Sequence, residues 1–256
     1  VLLVTTRKGF ASRVSQRRAQ WDAAIRLRAG HERRLSGALA NFLVAQARGY
    51  GSAYRSGGIR SAEASVRVGA GRMVRVVRPS MVASAQQQAR STLRGLGASE
   101  VARFVDRRAV AFVDRVLPRR VRAINTQTVE QIRHVVATAV ARGLGPQETQ
   151  GLLLGTGAER SPRRALVIAR HEVGSATSFA DQASAEESGV DLIKVWLTAN
   201  DGGPRHPSFM EGQERDLDEP FDVDGSDAMY PMDPSLPPEQ SLNCRCSVAY
   251  VPKRSR

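Results

Sequence analysis

Ile193-Lys-Val-Trp-Leu-Thr198 is where the chain stops reading as helix, and the fold turns on it. Ile193, Val195 and Leu197 alternate with Lys194, Trp196 and Thr198, the period of two expected of a strand. A second alternating stretch stands near the end, with Val248, Tyr250 and Pro252 on one face and Ala249 and Val251 on the other. Between the two lie roughly fifty residues rich in Asp, Pro and Gly, and a loop of that length inside a domain is normally functional. Its ends meet if the two strands pair.

Upstream the period changes to that of helices. Residues 15–48 carry Trp21, Ile25, Leu27, Leu35, Leu39, Phe42 and Leu43 at helical spacing, with Arg on the other face, and Gly49 and Gly51 end the run. Residues 80–96 predict a helix. Val101, Phe104, Val105, Phe112, Val113 and Val116 predict the next, which Pro118 breaks or restarts. Val121 through Val140 continue to Gly143. Pro146 opens a short helix with Leu152–Leu154, and Ser161-Pro162 reads as the cap and first turn of another that runs to about Gly189. Residues 49–72, rich in Gly, Ser and Arg around Tyr50 and Tyr54, read as a linker or arm. Around Gly69-Ala-Gly71, Val66, Val68, Val74 and Val76 alternate with Arg67 and Arg75, the pattern of a small hairpin or a short helix.

The expected fold is therefore α+β and mostly α. An extended, basic helical region fills residues 1–145, with the Gly/Arg-rich arm at about 49–72. A compact domain over residues 146–256 combines a long helix, a small antiparallel sheet and a long ordered loop. The 256 residues suffice for one large or two modest domains, and with 5% aromatics the core must come mainly from Ala, Val and Leu. No apolar run approaches the roughly 20 residues of a membrane span. Val1-Leu-Leu-Val4 is too short for a signal-peptide core, and a chain opening on Val rather than Met fits a trimmed start. Cys244 and Cys246, two apart, cannot close a low-strain disulfide on each other, which points to synthesis in a reducing cytoplasm.

Charge is unevenly spread. Residues 1–172 hold 31 Lys+Arg and 10 Asp+Glu; residues 173–256 hold 7 and 15; the chain nets +13. Nearly all the positive charge is Arg, the better residue for bidentate phosphate contacts. A cationic helical body suits a polyanion, and an acidic end suits a protein partner. Arg55, Arg60, Arg67, Arg72, Arg75 and Arg78 are the candidate DNA contacts, with Tyr50 and Tyr54 interleaved as in a sequence-tolerant nucleic-acid arm. The alternative for these residues is a solvated helix face and plain packing.

The C-terminal stretch gathers the remaining chemistry. Asp201, His206, Cys244 and Cys246 are zinc-ligand types, but Cys-x-Cys is atypical of a structural zinc site. The preferred reading is two small side chains beside a loop, held by Asn243 and Arg245. Asp201, His206 and Glu211 are also the residue types of a metal-dependent nuclease or peptidase. A lone loop histidine is more often structural, and no catalytic role is assigned.

Taken in order, Ala169-Arg-His-Glu172, Lys194-Val-Trp196-Leu-Thr-Ala-Asn-Asp201, Arg205-His206, Met210-Glu-Gly212-Gln, Phe221, Tyr230-Pro231, Asp233-Pro234 and Asn243-Cys-Arg-Cys246 resemble the phage head morphogenesis family. This family is named after the Mu protein F and is also called the minor head or minor capsid protein family. The resemblance covers about residues 146–251. It departs from the family at His171, where Thr is commoner, and in lacking the Cys-x-x-Cys that some members place after the Asp. It implies a structural, non-enzymatic protein inside the head of a tailed phage virion, near the portal. Such a protein would be made in the host cytoplasm, without a cofactor, and would contact the portal protein, packaged double-stranded DNA and other internal head or major capsid proteins. It would aid head assembly or genome delivery. It also implies that Arg170, Glu172, Trp196, Asp201, His206, Gly212, Asn243, Cys244, Arg245 and Cys246 are structural motif residues. A basic DNA-binding protein unrelated to phage is the remaining alternative.

Overall fold

The computed structural model describes residues 10–199 and 210–253. Four long helices come first: α1 (Phe10–Val68), α2 (Ala70–Leu96), α3 (Ala102–Ala141) and α4 (Pro146–Glu187). A 3-10 turn, Ser99–Val101, joins α2 to α3. Then follow β1 (Leu192–Leu197), β2 (Glu214–Asp216), β3 (Phe221–Val223), β4 (Ser226–Ala228), the short α5 (Pro238–Ser241) and β5 (Ser247–Pro252). The α+β, mostly α expectation holds. No described helix is long and apolar enough to cross a membrane.

The two strands expected from alternation are paired. β1 and β5 run antiparallel from Leu192↔Pro252 to Leu197↔Ser247, and β2 adds to the other edge of β1. A separate two-stranded ribbon joins β3 to β4. Each face of the three-stranded sheet is covered by a different element, as the period of two requires. Val195, Leu197 and Ala249, with Ile193 and Val251 alongside, pack against Trp21 and Ile25 of α1. On the opposite face Trp196 joins Met210, Phe221, Val223, Met232, Cys244 and Cys246 of the long loop. The loop is thus folded by its own apolar residues over the sheet.

The chain divides into two compact units, and each long helix contributes to both. One unit takes Val1–Glu32, Ser80–Val113 and Arg170–Arg256; the other takes Arg33–Pro79 and Asp114–Ala169. These are called here the sheet unit and the helical unit. Their limits do not coincide with a division at residue 145, because contact partners within a helical hairpin come from distant sequence.

Several expected breaks are absent. Residues 49–72 are helical rather than an arm: α1 continues to Val68, kinked where Gly57 and Gly58 leave helical geometry, and α2 starts at Ala70. Of the two patterns open for Val66–Val76, hairpin or short helix, the structure shows helix on either side of Gly69. Buried Tyr50, Ala62 and Val66 pack with Val129, Ile132 and Leu153 in the helical-unit core. Burying side chains of this size at 1.5–3 kcal/mol each outweighs about 1 kcal/mol per helical glycine. Pro118 and Pro162 lie inside α3 and α4. Each proline removes one backbone bond, but Val113, Leu117 and Val121 bury the helix on both sides of Pro118. Ser161 is no N-cap: its hydroxyl donates back to the Gly157 carbonyl at 2.5 Å, inside a continuous helix.

Candidate nucleic-acid interface

The helical unit holds 18 arginines and 5 carboxylates, a net +13, which equals the charge of the whole chain. The sheet unit holds 20 of each sign and is neutral. Charge is therefore segregated by tertiary unit as well as along the sequence. In the sheet unit four acidic residues meet bases supplied by other segments. Arg108 of α3 bridges Glu186 at 2.8 Å and Glu187 at 2.5 Å, and Lys253 lies 2.8 Å from Asp216 and 3.5 Å from Asp191.

Among the six candidate DNA contacts, Arg55, Arg60, Arg72 and Arg75 are exposed and have no carboxylate partner among the described residues. Arg67 is exposed but lies 3.1 Å from Glu63. Arg78 is held in both directions, donating from Nε and Nη2 to Asp114 at 2.7 and 3.0 Å. That two-point pair pulls the Asp114 carboxyl below its usual range and raises the Arg78 guanidinium. Arg133 grips Glu63 in the same forked way, at 2.7 and 3.2 Å. Arg78 is thereby paired at the surface, as Arg67 is, while Tyr50 is corrected from a stacking residue to core. Sequence reading missed Arg48, Arg115, Arg119, Arg122, Arg160 and Arg163, which are exposed in the same unit. Their spacing differs in nothing from an ordinary solvated helix face, so no local signal marked them.

The described motif residues of the C-terminal stretch form a latch. One face of α4 holds the long loop, largely by its backbone. His171 Nδ1 lies 3.3 Å from the Ser241 carbonyl, Ser175 donates to the Met232 carbonyl at 2.9 Å, and Gln182 donates to the Leu217 carbonyl at 2.8 Å. Arg170 adds a side-chain tie to Asn243 at 3.2 Å, and Glu172 is buried beside it in sequence. From the other side Trp21 donates to the Arg245 carbonyl at 2.9 Å, and buried Arg28 to the Cys246 carbonyl at 3.1 Å. The turn before the cysteines is therefore gripped by α1 and α4 together. Asn243 and Arg245 are used by these helices, which corrects the expectation that they hold the cysteines.

Trp196 is fully buried, edge-on to Phe221 with 5.1 Å between ring centres. Gly212 sits at φ +78 and its N–H donates to the Trp196 carbonyl at 2.9 Å, a left-handed position that suits glycine. Glu211 is turned to the end of β1, accepting from the Thr198 N–H at 2.6 Å and hydroxyl at 2.5 Å. Asp201 and His206 lie outside the described residues. Both cysteines are free and buried. The Cys246 thiol is pushed well up, first by its hydrogen bond with Cys244 and then by burial. Among the described residues no group of three His, Cys, Asp or Glu is placed to hold a metal.

Compared with protein-family models, curated proteins and solved structures, the chain finds no match in any of the three.

Proposed function

We propose that this protein is a structural minor head protein of a tailed bacteriophage, placed inside the head at the portal vertex. It contacts packaged double-stranded DNA without reading sequence and aids head assembly or genome delivery. The family reading rests on the ordered motif series from Arg170 to Cys246. The DNA reading rests on one observation, the net +13 of the helical unit with Arg55, Arg60, Arg72 and Arg75 exposed and uncommitted. Exposed guanidinium groups bind phosphate by ion pairing and counterion release, which needs no base contact. The neutral, latched sheet unit supplies the surface for the portal protein.

Titration of duplex DNA at several salt concentrations tests the polyanion half. Affinity should fall with salt at a log–log slope of several units, alike for unrelated sequences. Changing Arg55, Arg60, Arg72 and Arg75 together to Gln should flatten the slope. A slope near zero in the unaltered protein removes the DNA role. Density or peptide signal for this chain in purified virions at the portal vertex tests the other half, and its absence there ends the minor-head reading.

A further inference from the structure

Within the sheet unit a pocket of about 70 Å³ opens between α1, α2 and β5, with Asp181 of α4 in its wall. Asp181 is buried, and its Oδ1 accepts from Gln88 Nε2 at 2.8 Å and from the Thr92 hydroxyl. Its Oδ2 accepts no hydrogen bond from any described residue. Gln88 is itself more than nine-tenths buried, and with Nε2 turned to Asp181 its Oε1 is left without a partner. Gln88 Oε1 is thus a fully buried acceptor without a partner, whereas Asp181 Oδ2, also without one, keeps some accessible surface. The rest of the wall is largely apolar, with Ala24, Leu27, Leu96 and Val248 in it.

We propose that this pocket binds a small alkylammonium cation. The ammonium group supplies the donor that Asp181 Oδ2 lacks, and a short alkyl chain meets the apolar wall. The volume admits a group of a few heavy atoms, larger than one water. The charged neighbours are consistent with a modest affinity. Buried Arg28 of α1 faces Asp181 but is drawn to Ser178 Oγ at 3.2 Å and the Cys246 carbonyl, and Glu32 of α1 acts on Arg28. Glu186 of α4 and Tyr230 face Tyr250, whose hydroxyl donates to Gln182 at 3.1 Å. Glu186 is itself paired with Arg108, so the carboxylate left for a cation is that of Asp181, opposed by Arg28.

The test is thermal unfolding of the whole chain at pH 8 with n-butylammonium, and with tetramethylammonium at equal ionic strength. n-Butylammonium well above its Kd should raise the midpoint by about 2–4 °C. Tetramethylammonium, which has no donor, should not. The shift should vanish in Asp181→Asn and, because that variant can alter folding, also in Ala23→Leu, which plugs the exposed mouth and leaves the carboxylate in place. Putrescine and a lysine-containing peptide, run in parallel, separate a free amine from a partner's side chain as the source. Equal shifts with both cations, no shift, or a shift that survives Ala23→Leu overturns the proposal.

Discussion

Arg170 and Asn243 lie 73 residues apart and meet at 3.2 Å, guanidinium Nη1 donating to the side-chain carbonyl. Asn243 stands at φ +58, in the left-handed region, directly before the buried cysteines. The contact holds a strained turn and anchors it to α4. Asn243→Gly should keep the backbone and lose only the contact, for about 1 kcal/mol. Asn243→Val adds left-handed strain of about 1–3 kcal/mol. Urea midpoints should rank wild type, then Gly, then Val; Val equal to Gly would show that the turn is unstrained.

Glu63 restrains two arginines of the helical unit. Arg133 and Arg67 both pair with it, and the Arg133 hydrogen bond chiefly holds its carboxyl below the usual range. Glu63→Gln should release both for phosphate. Duplex-DNA affinity then rises, and the salt slope steepens by up to about 2 units, one per freed arginine. An unchanged slope would place Arg67 and Arg133 off the binding face.

Two glycines one turn region apart in α4 should respond oppositely to Ala. A Cβ on Gly157 would meet the Tyr50 hydroxyl at 2.3 Å and the Ala47 Cβ at 2.6 Å, whereas nothing lies within 4 Å at Gly155. Gly155→Ala should stabilise by about 1 kcal/mol through helix propensity. Gly157→Ala should destabilise by about 1–3 kcal/mol through overpacking. Ala47→Gly should recover part of that loss, a coupling readable by a double-mutant cycle.

Burial raises the Asp181 pKa to about 6, against the hydrogen bonds of Thr92 and Gln88 and the charge of Arg28. The folded chain then keeps a proton that the unfolded chain has lost between about pH 4 and pH 6. In that window this group makes stability fall as pH rises, by up to about 3 kcal/mol. Depressed carboxyls such as Glu63 and Asp114 act in the opposite sense. The difference between wild type and Asp181→Asn, measured by denaturant titration from pH 4 to pH 8, isolates the Asp181 contribution.

Lys194 is buried, with Nζ 3.0 Å from the Met229 carbonyl and 5.0 Å from the Phe221 ring centre. Burial lowers its pKa to about 8, against the pull of Glu186, Asp218, Asp233 and Glu219. Between pH 8 and about 10 the unfolded chain holds the proton that the folded chain gives up, so stability from this group rises with pH. Lys194→Met should abolish that rise. It should also match or exceed wild-type stability at pH 7, since an apolar side chain of similar length replaces a desolvated ammonium.

Local pattern by itself determined most of the helical stretches and the β1–β5 pair. These follow from a period of 3.6 or 2 and from apolar residues that must leave water, and both are written within a dozen residues. The latch was legible only as a set of residues: Arg170 and Asn243 stood out, but not the carbonyls of Ser241, Met232 and Leu217, because a backbone acceptor carries no side-chain signature. Tertiary structure alone decided that residues 49–72 are helical and that helix runs unbroken through Pro118 and Pro162, since the packing of Ala62, Val66, Leu117 and Val121 outweighs the local breakers. It alone decided where the charge lies. Each helix is shared between two units, so Arg78 and Arg108 find carboxylates that are remote in sequence, while Arg55, Arg60, Arg72 and Arg75 do not. Coulomb pairing depends on distance in space, and a linear count of arginines contains none.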